Sequence, residues 1–415
     1  MTRYGHNSSL CFYYLFLASL LFCYPIPMAL SELSSTQKTT MINISNSLNS
    51  SVPWNINTQP NPCLWKGVVC QPPTNSSVIQ ISLSKSSLSS SDFLPIVCQI
   101  ESLQSLDVSE NHLTTIPSGF VKGCGNIHGL NLLNFSFNNL EGSLPNFVGF
   151  AVLESLDLSH NKLSGSIGLE LDGLVGLRNL NLSFNHFNGS VPTHLGKSMV
   201  LQKLELSANT FQGTIPDKIV DYRNLTLIDL SSNNLSGSVP DRIGELSKLE
   251  VLILSSNNLI GIIPESLSNI KSLTRFAANS NSFRGPVPAG ITKYLKNLDL
   301  SYNKLDGSIP AELLSTSNSN LQTVDLSYNM LQGSIPTIRS QSLVRLRLGS
   351  NELVGAIPSA TLQSLMYLEM DNNKLTGSIP PELGSCRNLA LLNLAYNRLT
   401  GALPVALGHL SNLQV

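Results

Sequence analysis

The sequence predicts an α/β repeat solenoid whose concave side is one long parallel sheet. Three observations predict it: a fixed period near 24 residues, an asparagine at one place in each period, and apolar residues alternating in and out just before it. The asparagines are Asn111, Asn138, Asn161, Asn185, Asn209, Asn233, Asn257, Asn281, Asn303, Asn329, Asn351, Asn373 and Asn397, thirteen in all. Apolar residues, nearly always Leu, stand eight, five and three positions before each. Leu225, Ile228 and Leu230 before Asn233 are typical. Leu or Phe follows two positions after, usually Gly four after and Pro seven after. A weaker copy, "VIQISLSKSSL", begins at Val78 with Ser86 in the asparagine place.

Each element has a physical reason. The "LxL" pair is a short strand with one side chain pointing in. Stacked strands lie about 4.8 Å apart and bury their leucines against the next coil. Where the chain leaves the strand, backbone N–H and C=O groups become buried and need partners. An inward Asn offers both a donor and an acceptor for them. Glycine permits the sharp path that follows, and the later proline suits an extended convex segment.

The N-terminus reads as a secretory signal over residues 1–30. Arg3 precedes the apolar run "LCFYYLFLASLLFC", Leu10 to Cys23, and the chain then passes to "YPIPMALS". That run is too short to span about 30 Å of hydrocarbon, and no second long apolar run follows. Only 12% of the 415 residues are charged and the net charge is −1. Such a balance suggests neither a nucleic acid nor an anionic membrane surface as partner.

Two stretches, "LDLSSNNLSGSVP" and "LDLSYNKLDGSIP", resemble the plant-specific leucine-rich repeat, LxxLxLxxNxLxGxIP. The resemblance covers residues 78–415. It implies a right-handed superhelix with short helices or 3-10 turns on the convex side. "PWN…NPCLWKGVVC", Pro53 to Cys70, resembles the N-terminal cap of plant leucine-rich-repeat receptors and receptor kinases, so residues 31–77 are expected to be that cap. In that family a short helix precedes the tryptophan and a cysteine pair closes the cap. Met41, Ile44 and Leu48 have helical spacing, with Ser34, Ser35 or Thr36 as the N-cap. Leu413 falls where a further repeat should start, so the chain is read as a fragment. The family's usual continuation is more repeats, a membrane span and a cytoplasmic kinase.

Seven cysteines are present, and Cys11 and Cys23 lie in the signal. In an oxidising compartment Cys63 and Cys70 are the expected couple. For Cys98 and Cys124, a bridge and two buried thiols both stay open; Cys386 is expected to be a buried thiol. Glycosylation sequons begin at Asn43, Asn49, Asn75, Asn134, Asn181, Asn188, Asn224 and Asn234. Glycans at Asn134 and Asn181 would crowd the early concave face.

No catalytic constellation is present: G-x-S-x-G, H-E-x-x-H, G-x-x-x-x-G-K-[ST] and the kinase signatures are all missing. "GCGNIHG", Gly123 to Gly129, has its last glycine one place too far for a dinucleotide loop and falls in a long loop between repeats. His160 and His186 lie on opposite sides of their asparagines, which disfavours a shared metal. Neither cofactor nor metal is implied.

Positions six, four, two and one before each asparagine should face outward from the concave sheet. In the one-before row stand Phe137, His160 and Phe184, then Tyr302, Tyr328 and Tyr396; Tyr367 is in the six-before row. Exposed aromatics on a rigid sheet are common anchors. Arg345 and Arg347, six and four before Asn351, should project side by side and clamp a carboxylate. They resemble the Arg-x-Arg pair with which some plant peptide-hormone receptor kinases meet a peptide's C-terminal carboxylate. An acid–base ladder with Asp325 and Glu369 accounts equally for Arg347. The expected role is therefore the ligand-binding extracellular part of a plant receptor, taking a peptide or small ligand, with Tyr302, Tyr328 and Tyr367 beside the arginines and a co-receptor kinase as partner. The alternative is a secreted inhibitor of a cell-wall-degrading enzyme.

Overall fold

The computed structural model describes residues 32–48, 51–195, 199–315, 320–359 and 362–414. The signal reading at 1–30 and the sequon at Asn49 lie outside the described residues. Among the described residues, fifteen strands form a single sheet in chain order. The first pair, Val68–Cys70 and Val78–Ser82, is antiparallel; every later neighbour is parallel. Most strands are three residues long with the middle side chain buried, as the alternation requires. Their register is one for one. Ile228 pairs with Leu252, and Leu252 with Phe276.

The apolar positions fill the interior as predicted. Leu225, Ile228, Leu230 and Leu235 are all 1% exposed or less. The asparagine ladder is complete from Asn111 to Asn397. Asn257 shows its form: Nδ2 donates to the carbonyls of Leu230 in the preceding coil (2.9 Å), Leu254 and Ser255, and Oδ1 accepts from the N–H of Leu235. One side chain thereby satisfies backbone groups of two coils.

Two local features carry little sequence signal. The residue before each ladder asparagine adopts a left-handed conformation, with φ 54° at Phe137 and 53° at Tyr302. Such a φ costs an L-residue roughly 1–2 kcal/mol. The turn it makes aims Asn inward and sends its own side chain out. Beyond the asparagine, short strands such as Asn234–Gly237 and Asn258–Gly261 pair in three smaller parallel sheets. Gly237 ends one of them at φ 72°, where a Cβ would meet Thr214 at 2.7 Å. Proline then opens the convex side. Pro216, Pro240 and Pro264 each cap a 3-10 turn in extended conformation.

The cap forms as its spacing indicates. A helix spans Ser35–Ser47, Ser34 Oγ accepts from the N–H of Gln37, and Met41, Ile44 and Leu48 are buried. Trp54 stacks on Trp65 at 5.3 Å, and their indole N–H groups donate to Lys66 and Gln59 carbonyls. Gln37 sews the helix to the first coil: its Oε1 accepts from Val78 N–H and its Nε2 donates to Ser102. Cys63 and Cys70 are bonded, and so are Cys98 and Cys124. The second bridge settles the open pairing. It joins helix Ser118–Cys124, which occupies the start of the segment read as a long loop, to the residue after helix Leu94–Val97. Cys386 is buried, and its sulfur accepts from the N–H of Leu362.

The ladder is testable at one rung. Asn257→Leu keeps the branched shape but leaves the buried Leu235 N–H without its acceptor, while the Leu230 carbonyl keeps its bond from Asn233 Nδ2. We expect stability to fall by about 1–3 kcal/mol, the cost of one orphaned buried group, read from urea unfolding. A loss below about 0.5 kcal/mol would mean that water replaces the side chain. Non-reducing peptide mapping should recover Cys63 linked to Cys70 and Cys98 linked to Cys124.

Candidate concave binding face

One-for-one register turns sequence positions into rows running along the sheet. In the six-before row, Arg275, Asn297, Thr323, Arg345 and Tyr367 are successive Cα partners on five coils. In the four-before row, Asp299, Asp325, Arg347 and Glu369 follow one another. The two-before row is mostly buried serine, including Ser159, Ser183, Ser207 and Ser301. It forms a shallow floor between the strands and the aromatic edge.

Arg345 and Arg347 leave one strand on the same face, but their surroundings differ. Arg347 Nε donates to Glu369 at 2.7 Å, and its Nη1 lies 3.5 Å from Asp325. Partial burial alone would lower its pKa; the bond to Glu369 and the two carboxylate charges outweigh that and raise it. The acid–base ladder is therefore present. Arg345 has no such partner among the described residues. Its guanidinium carbon sits 4.5 Å from the centre of the Tyr367 ring. Its Nε is shielded from water with no hydrogen-bond partner. Tyr367 thus holds an uncompensated cation by its ring face.

Four of the five predicted ligand contacts line two neighbouring hollows, and the fifth, Tyr367, stands against Arg345. Arg345 and Arg347 border a groove of about 540 Å³ that also includes Arg275, Asn297, Asp299, Thr323 and Asp325. Tyr302 and Tyr328 stack at 4.2 Å along the one-before edge, both about half exposed. They border a hollow of about 460 Å³ with Arg347, Glu369 and Asp371. Arg347 lines both. The Tyr302 hydroxyl is held above its ordinary pKa, first by its bond to Tyr328. Sequence reasoning omitted Arg275 and Asn297, although the row rule that located Arg345 and its neighbour Thr323 also points to them.

A second aromatic cluster lies earlier on the same edge. His160 is stacked between Phe137 at 3.9 Å and Phe184 at 4.2 Å. Nearby, Asn134 and Asn181 are half-buried within strands. Asn134 Oδ1 accepts from Ser136, and Asn181 Nδ2 donates to Asp157. Asn43, Asn75, Asn188 and Asn234 are exposed, and Asn224 is half-buried, hydrogen-bonded to the Met199 carbonyl and to Lys248. Among the described residues no group of His, Cys, Asp and Glu is arranged to hold a metal, and no helix is long and apolar enough to cross a membrane.

Two family models, both described as leucine rich repeat, match this chain. One covers residues 101–163 and 199–259, the other 176–198, 294–315, 320–339, 364–386 and 388–410, together more than half its length. The chain belongs to the leucine-rich-repeat family. Its repeats are of the kind found in plant receptor ectodomains. The leucine-rich repeat receptor protein kinase MSL1 of Oryza sativa subsp. japonica is 41% identical over 71 residues, 17% of this chain and 5% of that protein. Among solved structures, a TDR receptor superimposes with TM-score 0.68 at 31% identity, covering 77% of this chain and 60% of that one. The Arabidopsis receptor kinase HAESA, solved in complex with the peptide hormone IDA and the co-receptor SERK1, gives TM-score 0.59 at 27% identity, covering 92% of this chain and 81% of that one. The leucine-rich-repeat chain thus spans a small part of the curated relative and under two thirds of the TDR receptor structure.

The face also carries a pH signature. Glu205 stands in the four-before row beside Asn181 and Asp229. Burial, and then the charges of Asp229 and Asp157, raise its pKa above the ordinary carboxylate value. A raised folded-state pKa means stability is fully present below the unfolded-state value and is lost as pH rises through the folded one. Glu205→Gln should therefore raise the thermal midpoint at about pH 7 and change nothing near pH 3. Equal midpoints at both pH values would show that Glu205 is fully solvated.

Proposed function

We propose that this chain is the extracellular ligand-binding part of a plant cell-surface receptor of the receptor-kinase type, and that its concave face takes a peptide with a free C-terminal carboxylate. The carrying observation is Arg345. It is a cation on a rigid strand, held by Tyr367, with a shielded Nε and no acid beside it. A planar guanidinium in that position suits a carboxylate, which would meet its outer Nη groups. Arg347 is already engaged by Glu369 and Asp325, so it contributes shape and orientation more than net charge.

The solved neighbours support the reading. HAESA is a receptor kinase seen with a peptide hormone and a co-receptor, and the TDR structure is likewise of a receptor. A kinase and a membrane span in the intact product, and a co-receptor kinase as partner, belong to the same proposal. So do entry into the secretory pathway through residues 1–30 and a place at the cell surface. Glycans are proposed at the exposed Asn43, Asn75, Asn188 and Asn234. The stacked Tyr302 and Tyr328 would hold an apolar part of the ligand, while the face of Tyr367 serves Arg345.

The test is a thermodynamic cycle on the tightest binder from a library of short random-sequence peptides with free C-termini. Arg345→Ala should weaken it by about 1.5–3 kcal/mol, the range for hydrogen bonds to charged groups. Amidating the peptide's C-terminus should cost a similar amount in the unmodified protein and little in the variant, because both changes remove one interaction. Additive losses would show that the arginine and the carboxylate do not meet.

A further inference from the structure

We propose that Arg275 is a second anion-recognition residue of this groove, and that the peptide it serves carries a side-chain carboxylate about four residues before its C-terminus. The inference rests on the carboxylate reading of Arg345. Arg275 stands in the same row, three coils earlier, and is exposed. Its side chain has no hydrogen bond or ion pair among the described residues. Two places along its strand is Ala277, and the matching position on the preceding coil is Ile253. On the following coil Asp299 accepts from the Ser301 N–H and hydroxyl. Arg275 therefore lacks the carboxylates that neutralise Arg347. Both Arg275 and Arg345 line the groove of about 540 Å³.

The residues between the two arginines suit a peptide backbone. Asn297 Nδ2 donates to Thr323 Oγ1 at 2.8 Å. That bond leaves the Asn297 carbonyl oxygen to accept and the Thr323 hydroxyl hydrogen to donate. An acceptor and a donor thus lie in line between two cations, matching the N–H and C=O groups of an extended chain. Strands about 4.8 Å apart place the arginines about 14 Å apart over three steps. An extended peptide rises about 3.4 Å per residue, so about four residues cover that distance. An even spacing also keeps alternate side chains on the sheet-facing side.

The probes are fluorescently tagged octapeptides of Ala and Ser with a free C-terminus and one Asp placed two, four or six residues before the last. An Asp-free peptide and amidated copies complete the set. Binding to the full chain is read by fluorescence anisotropy at low salt. The peptide with Asp four before the end should bind about tenfold tighter than the Asp-free one, a gain of about 1.4 kcal/mol. Arg275→Gln, which keeps a polar side chain at this exposed site, should abolish that preference and leave the other peptides unchanged; Arg345→Ala should weaken every free-acid peptide. No dependence on Asp position, or a preference that survives Arg275→Gln, overturns the proposal. If free acids outbind amides while Asp position is irrelevant, the carboxylate reading of Arg345 stands and Arg275 has no such role. If the Asp preference depends on Arg275 while acid and amide bind alike, Arg275 stands and the reading of Arg345 fails. No measurable binding of any peptide overturns both.

Discussion

The structure depends on the hydrogen bonds of one repeated side chain. Each ladder asparagine donates to carbonyls of its own and the preceding coil and accepts an N–H from that preceding coil. An unpaired backbone group buried here would cost about 1–3 kcal/mol, so each coil without its asparagine would be marginal. The same bonds set the stagger between coils. With the stagger fixed, strands pair one for one, and residues about 24 apart in sequence become neighbours in space. A repeated element thereby becomes a surface with rows. Leucines alone would bury as well in several registers, because hydrophobic burial is not directional.

Rows give the concave face its chemistry. Rigid strands hold like positions about 4.8 Å apart, so a charge is judged by what stands beside it on two coils. Arg347 falls between Asp325 and Glu369, and both acids engage its charge. Arg345 falls between Thr323 and Tyr367 and has no acid beside it in its row. Two arginines two residues apart in one strand therefore differ in kind. The difference lies in the neighbouring coils, not in the strand that bears them. The left-handed residue before each asparagine works in the same way. It turns Phe137, His160 and Phe184 outward, and stacking follows because the next coil repeats the turn.

The repeat, its strands, the ladder and the cap helix were legible because each rests on local spacing. Met41, Ile44 and Leu48 face inward because the helical period is written into their order. The rows were legible for the same reason, and spacing alone puts Arg347 beside its acids. What stayed hidden depends on side-chain orientation between coils or on backbone angles with no preferred residue. The left-handed position is filled by Glu110, Phe137, Ala208, Ser232 or Asn372 alike, so composition does not mark it. The stacking of Arg345 on Tyr367 joins residues 22 apart, and sequence spacing places them side by side without saying how they meet. The pairing of Cys98 with Cys124 needed the two convex helices to be seen against each other.

The central claim is that strand register presents Arg345 to a peptide carboxylate on the concave face. The most direct measurement is a crystal structure of the chain with its tightest free-acid peptide bound. The account predicts an extended peptide along the six-before row, its terminal carboxylate about 2.8 Å from the Arg345 guanidinium, as for a charge-assisted hydrogen bond. A peptide seated on the convex turns or on the cap, with Arg345 still stacked and unengaged, would contradict it.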